Sequence, residues 1–82
     1  MTVRDQTLAL LREATGDGEA IADPEAPLIE SGLLDSLAIV SLMVGLEEAF
    51  GIVISPADFD REAWATPRAL IADVERRIAG AP

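Results

Sequence analysis

Apolar residues recur at helical spacing in three stretches of the chain, and the breaks between them are rich in glycine and proline. Val3, Thr7, Leu10, Leu11 and Ala14 share one face of a first predicted helix, from about Val3 to Ala14. Thr2 is placed to cap it, with Asp5 as the acid of a shortened capping box, and Thr15-Gly16-Asp17-Gly18 stops it. Ile39, Leu42, Met43, Leu46 and Phe50 form the inner stripe of a second helix, predicted from about Ser36 to Phe50 and closed by Gly51. Leu70, Ile71, Val74 and Ile78 do the same for a third, from about Pro67 to Ala79. Thr66-Pro67 opens that helix, and Arg76 and Arg77 sit in its last turn, where the helix dipole favours cations.

The segments between are equally informative. A loop runs from about Gly16 to Asp35, with Asp23-Pro24 and Ala26-Pro27 excluding helix. A loop so long in so short a chain must be functional or pinned, and Leu28, Ile29, Leu33 and Leu34 supply the pins. Gly32 allows a tight turn just ahead of Leu33. Ile52-Val53-Ile54 reads as an extended connector, since a lone strand has nothing to pair with. Ser55-Pro56-Ala57-Asp58 repeats the helix-start signal and predicts a short helix through Phe59. The expectation is an all-α fold: a four-helix bundle of three main helices and one short one, in a single domain over residues 1–82.

The second helix carries more apolar surface than one core face needs. Leu37, Val40 and Val44 fall off its inner stripe, so the helix is either buried all round or presents a docking surface. Composition narrows the function. Cysteine and histidine are both absent, which removes thiol chemistry, the commonest metal ligand and the commonest general base. No metal site and no catalytic residue are expected. The net charge is −9, and all six basic residues are arginine. Such a surface repels nucleic acid and anionic lipid and suits docking onto basic patches of larger proteins. No apolar run is long enough to span a membrane, and the first residues lack the continuous apolar core of a signal peptide. A cytoplasmic monomer is expected.

Candidate chemistry is concentrated in Gly32-Leu33-Leu34-Asp35-Ser36-Leu37. Taken alone, Asp35 or Ser36 is an ordinary helix cap. Tethering a phosphodiester arm, however, requires an exposed hydroxyl at a helix N-terminus, where free N–H groups and the dipole favour negative charge, beside an apolar surface for the arm and its cargo. Ser36, followed by Leu37 and Val40, meets each requirement.

Together with Glu47-Glu48-Ala49-Phe50-Gly51 and the Thr66-Pro67 helix start, this stretch resembles the phosphopantetheine-binding acyl carrier family over nearly the whole chain. The resemblance implies that Ser36 receives covalent 4′-phosphopantetheine from coenzyme A, that Asp35 helps a magnesium-dependent phosphopantetheinyl transferase engage, and that Leu37 borders the arm. The protein would then perform no bond chemistry itself. Its partners would be the transferase, an adenylating ligase that loads the arm, and an acyltransferase or synthase that unloads it. Fatty-acid carriers place acids where this chain has Ala38 and Ser41, so docking would fall to Leu37, Val40 and Val44, with Glu47 and Glu48 lower on the helix. The stretch from Asp58 to Pro67, with its single tryptophan at Trp64, is similar to D-alanyl carrier proteins of teichoic acid D-alanylation. The lysine-free, Ala/Arg-rich composition points instead to a carrier of natural-product (polyketide or nonribosomal) biosynthesis, and that is the first expectation. A plain helical interaction domain and a Ser36 hydrolase are the readings from other classes. The second lacks a histidine for a triad.

Overall fold

The computed structural model describes residues 2–55 and 60–80. Its helices are α1 (Val3–Thr15), α2 (Ser36–Phe50) and α3 (Pro67–Ala79), with one short 3-10 turn at Ala20–Ala22. Among the described residues there is no strand. The short helix expected from Ser55 through Phe59 rests on residues 56–59, which lie outside the described ones. Residues 61–64 make turns, so the described chain carries three helices rather than four.

Each helix begins where its cap residue dictates. Thr2 Oγ1 accepts the Asp5 N–H at 3.1 Å, Asp35 Oδ1 the Ala38 N–H at 2.8 Å, and Thr66 Oγ1 the Ala69 N–H at 3.1 Å. Each bond satisfies an amide that the helix itself cannot pair. Gly16 and Gly51 close α1 and α2 with φ of 72° and 68°.

Helix α1 packs against both α2 and α3. Leu11, Leu42, Leu46, Leu70, Val74 and Trp64 meet in the core with essentially no exposure. The non-helical segments complete it. Leu28 and Leu34 from the long loop and Ile52 and Ile54 from the connector are buried, while Ile29, Leu33, Ile39, Phe50 and Ile78 pack around the cluster partly exposed. The loop is fixed to the start of α3 by backbone bonds. Leu28 N–H donates to the Ala65 carbonyl at 2.9 Å and Arg68 N–H to the Pro24 carbonyl at 3.0 Å. The Glu25–Arg68 ion pair over the same junction is exposed and adds little.

Among the described residues, two buried polar side chains interrupt the apolar interior. Asp73 is fully engaged. Its Oδ2 accepts the Trp64 indole N–H at 2.9 Å and the Arg77 Nε–H at 2.9 Å, and its Oδ1 accepts from Arg76. Burial pushes the Asp73 carboxyl upward, but hydrogen bonds from Arg77, Trp64 and Arg76 outweigh it and hold the group below its ordinary value. Thr7 is the opposite case: its hydroxyl is buried and has no partner among the described residues. Replacing it with a methyl removes that desolvated oxygen at nearly constant shape. Thr7→Val is therefore expected to raise stability by about 1 kcal/mol in a urea melt. A loss of that size instead would show that the hydroxyl has a partner.

Candidate functional site

The site is assembled at the N-terminus of α2. The long loop arrives through a turn at Gly32, whose φ of 82° is open to glycine and strained for other residues. Leu34 then anchors the approach: its side chain is buried, and its N–H donates to the Leu28 carbonyl at 2.9 Å. Two residues on, Ser36 is the first residue of the helix and is exposed. The cap belongs to Asp35, so the Ser36 hydroxyl is not needed for capping and makes no hydrogen bond among the described residues. Of the two cap candidates in the sequence, Asp35 fills the role and Ser36 does not.

The backbone around Ser36 differs from that at α3. At α3, Pro67 has no N–H, the Arg68 N–H is held by Pro24 and the Ala69 N–H by Thr66. At α2 the Ala38 N–H is held by Asp35, while those of Ser36 and Leu37 have no acceptor among the described residues. Two free amides and the positive end of a 15-residue helix surround the exposed hydroxyl. The Asp35 carboxylate opposes further negative charge, but it already accepts one amide and sits on the cap side of the turn. An exposed, unbonded hydroxyl among free donors fits a phosphoester group.

Beside it lies an uncovered apolar stripe. Leu37 is 79% exposed, Val40 55% and Val44 49%. Of the two alternatives open in the sequence, the structure shows the surface stripe: α2 buries Ala38, Leu42, Met43 and Leu46 and leaves these three in solvent. Val53, in the connector after α2, is a further exposed apolar residue at 84% exposure and was not foreseen from the sequence. It stands between buried Ile52 and Ile54, as the alternation of an extended segment requires. That alternation was the available signal. Glu47 and Glu48, both expected low on the docking helix, differ in their surroundings. Glu48 is exposed. Glu47 is half-buried, and its Oε1 accepts the Ile54 N–H at 2.9 Å, tying the connector to the last turn of α2.

Trp64 belongs to the core. Its ring is wholly buried and its N–H is committed to Asp73, as a core plug rather than a cargo contact. Among the described residues no group of acidic side chains is arranged to hold a metal ion, and no helix is long and apolar enough to cross a membrane.

The phosphopantetheine attachment site family matches residues 5–74, and the chain belongs to it. It is therefore a carrier protein that binds covalent 4′-phosphopantetheine and is not itself catalytic. It is 43% identical to a D-alanyl carrier protein of Enterococcus faecalis over 75 residues, covering 92% of this chain and 96% of that one. A D-alanyl carrier protein of Listeria monocytogenes is 37% identical over the same coverage, and one of Bacillus cereus 39% over 88% of this chain and 91% of its own. These relatives are D-alanyl carriers, so they favour the second of the two settings over the first expectation from composition, and none of the three is a carrier of natural-product biosynthesis.

Proposed function

We propose that this protein carries D-alanine as a thioester on a phosphopantetheine arm joined to Ser36, and serves the D-alanylation of teichoic acid. The observation that carries the reading is the near full-length similarity to D-alanyl carrier proteins, in a chain that exposes an unbonded serine at the start of α2. The arm, once attached, supplies the thiol on which the amino acid is held. The chain supplies the rest. Ser36 offers the hydroxyl, its own amide and that of Leu37 face the phosphoester, and Asp35 keeps the turn in helical register while remaining available to the transferase. Leu37, Val40 and Val44 form the face on which the transferase, an adenylating ligase and an acyltransferase dock, with Glu48 at its lower end and Glu47 acting through the connector it holds. The protein works as a cytoplasmic monomer.

The test is loading of the holo-protein by a D-alanine ligase with ATP. Intact mass should rise by one D-alanyl group with D-alanine and stay unchanged with L-alanine. Loading with another acid in preference to D-alanine would overturn the cargo assignment.

The docking face makes a separate expectation. Val44→Glu puts a charge on an exposed position, so the urea melt should move by no more than about 0.5 kcal/mol. Transfer of the aminoacyl group should nevertheless slow markedly, because the partner must then desolvate a carboxylate. A large loss of stability would place Val44 in the core.

A further inference from the structure

Where α1, the 3-10 turn and the start of α3 meet, the surface opens into a groove of about 330 Å³. Leu8 of α1, Ile21 of the turn, and Pro67 and Ile71 of α3 give it an apolar lining, and no residue of α2 contributes. Ile21 and Pro67 are buried, while Leu8 and Ile71 are half-buried and keep apolar surface open to it. The groove is preformed: the carbonyl of Pro24, which also lines it, accepts the Arg68 N–H at 3.0 Å and fixes the loop to α3. Arg4, Arg68 and Glu75 are its charged members, and all three are exposed.

We infer that this groove seats a short helical segment of a partner protein in which a glutamate or aspartate stands one turn from a leucine or phenylalanine. Charge decides the occupant. The chain has a net charge of −9 and six arginines. Arg76 and Arg77 are committed to Asp73, and two of the other four line this one groove. Arg4 makes no ion pair among the described residues. The Glu25–Arg68 pair is exposed on both sides, so an incoming carboxylate displaces it at little cost. Glu75 opposes the acid and leaves the three lining charges at a net of about +1, which fixes the sign of a test. The groove is thus a cationic spot on an anionic protein. An extended anionic surface such as a lipid bilayer meets the field of the whole chain and is repelled, whereas a single carboxylate beside an apolar side chain meets the groove alone. The lining takes that apolar side chain, and a guanidinium takes the acid in a two-point contact. Since α2 has no part in the groove, a partner segment seated here leaves Ser36, Leu37, Val40 and Val44 outside the contact. The carrier is then held by one protein while another works on its arm.

The probe is a short fluorescent amphipathic peptide with leucines along one face and a single glutamate one turn from them, titrated into the holo-protein and followed by anisotropy. Its counterpart carries glutamine in place of the glutamate and should bind about fivefold more weakly. Arg4→Glu and Arg68→Glu should each weaken binding of the glutamate peptide about fivefold with helical melts unchanged, and Glu75→Gln should tighten it about twofold. Ala72→Glu sets a carboxylate on the wall at an exposed position and should weaken it as well. Arg61→Glu makes the same charge change at an exposed position that does not line the groove, and should stay within about twofold of wild type. Loading of the arm by a D-alanine ligase should run at the wild-type rate in Arg4→Glu and with the groove saturated by peptide. No binding by wild type, equal binding of the two peptides, or equal weakening by Arg61→Glu overturns the inference. So does adsorption to phosphatidylglycerol vesicles that Arg4→Glu abolishes, which assigns the groove to lipid, or a dimer in sedimentation that Arg4→Glu dissolves, which assigns it to a second copy of the chain. Loading that fails in every variant while the peptide results hold removes the D-alanyl reading and leaves the groove standing.

Discussion

Ser36→Ala should abolish attachment of the arm. Incubated with coenzyme A and a broad phosphopantetheinyl transferase, the wild-type protein should gain the mass of one phosphopantetheinyl group and the variant none. The effect is all or none because the hydroxyl oxygen is itself an atom of the phosphoester. The structure explains why folding should not suffer. The α2 cap is made by Asp35, Ser36 is exposed, and alanine is the better helix former at a first-turn position. An unchanged melt with no mass gain therefore separates loss of the site from loss of the fold. Modification persisting in the variant would reject Ser36 and turn attention to Ser31 or Ser41, the other exposed serines among the described residues.

The largest effect on stability is expected at Trp64. The ring has no exposed surface, so Trp64→Ala should cost about 3–5 kcal/mol. That is a large share of the total for a domain of this size, and the variant should be partly unfolded at room temperature. Trp64→Phe keeps most of the packing and removes only the N–H given to Asp73, so its cost should be nearer 1–2 kcal/mol. A wild-type melt for Trp64→Ala would reject the core assignment. Acid should act through the same cluster. The Asp73 carboxyl is held below its ordinary value of 3.8, so its contribution is complete above that pH and is lost as pH falls through the lower folded-state value. Asp73→Asn should cost about 2 kcal/mol at neutral pH, and the gap between it and wild type should close in that acid window. A gap that stays constant into strong acid would mean the cluster does not depend on ionised Asp73.

Most of the fold was legible because the strongest local signals agree with the tertiary structure. Thr2, Asp35 and Thr66 were readable as helix starts or neighbours of one, and the apolar stripes begin where those caps place them. The features that escaped were those fixed by distant residues. The 3-10 turn at Ala20–Ala22 is too short to show a period. Asp73 falls between Leu70 and Val74 on the inward face, where an acid breaks the pattern. Its explanation lies in Arg76, Arg77 and a tryptophan nine residues back. Glu47 looked like a surface acid because its acceptor role is to the Ile54 backbone, and a backbone amide leaves no mark on residue type. For the candidate site, the serine and its apolar neighbours could be read from the motif, while the exposed Val53 could be read only from the alternation of the connector. Composition pointed away from the D-alanyl carriers that the chain is similar to. Lysine absence reports on codon usage, whereas the Trp64 stretch reports on the protein and pointed to the D-alanyl carriers.

The backbone bonds that tie the long loop to the start of α3 also bear on how a newly made chain folds. Pro24 and Leu28 find their partners at Arg68 and Ala65, about forty residues later, and Leu34 in turn leans on Leu28. While the ribosome is still adding the segment around residue 60, the turn that leads to Ser36 has nothing to close against, and α1 lacks one of the two helices it packs on. Such non-local closure forms only with the rest of the domain. The turn ahead of Ser36 is thus closed only once residues 65 and 68 are in place, which makes the approach to α2 a late part of folding, not an early one.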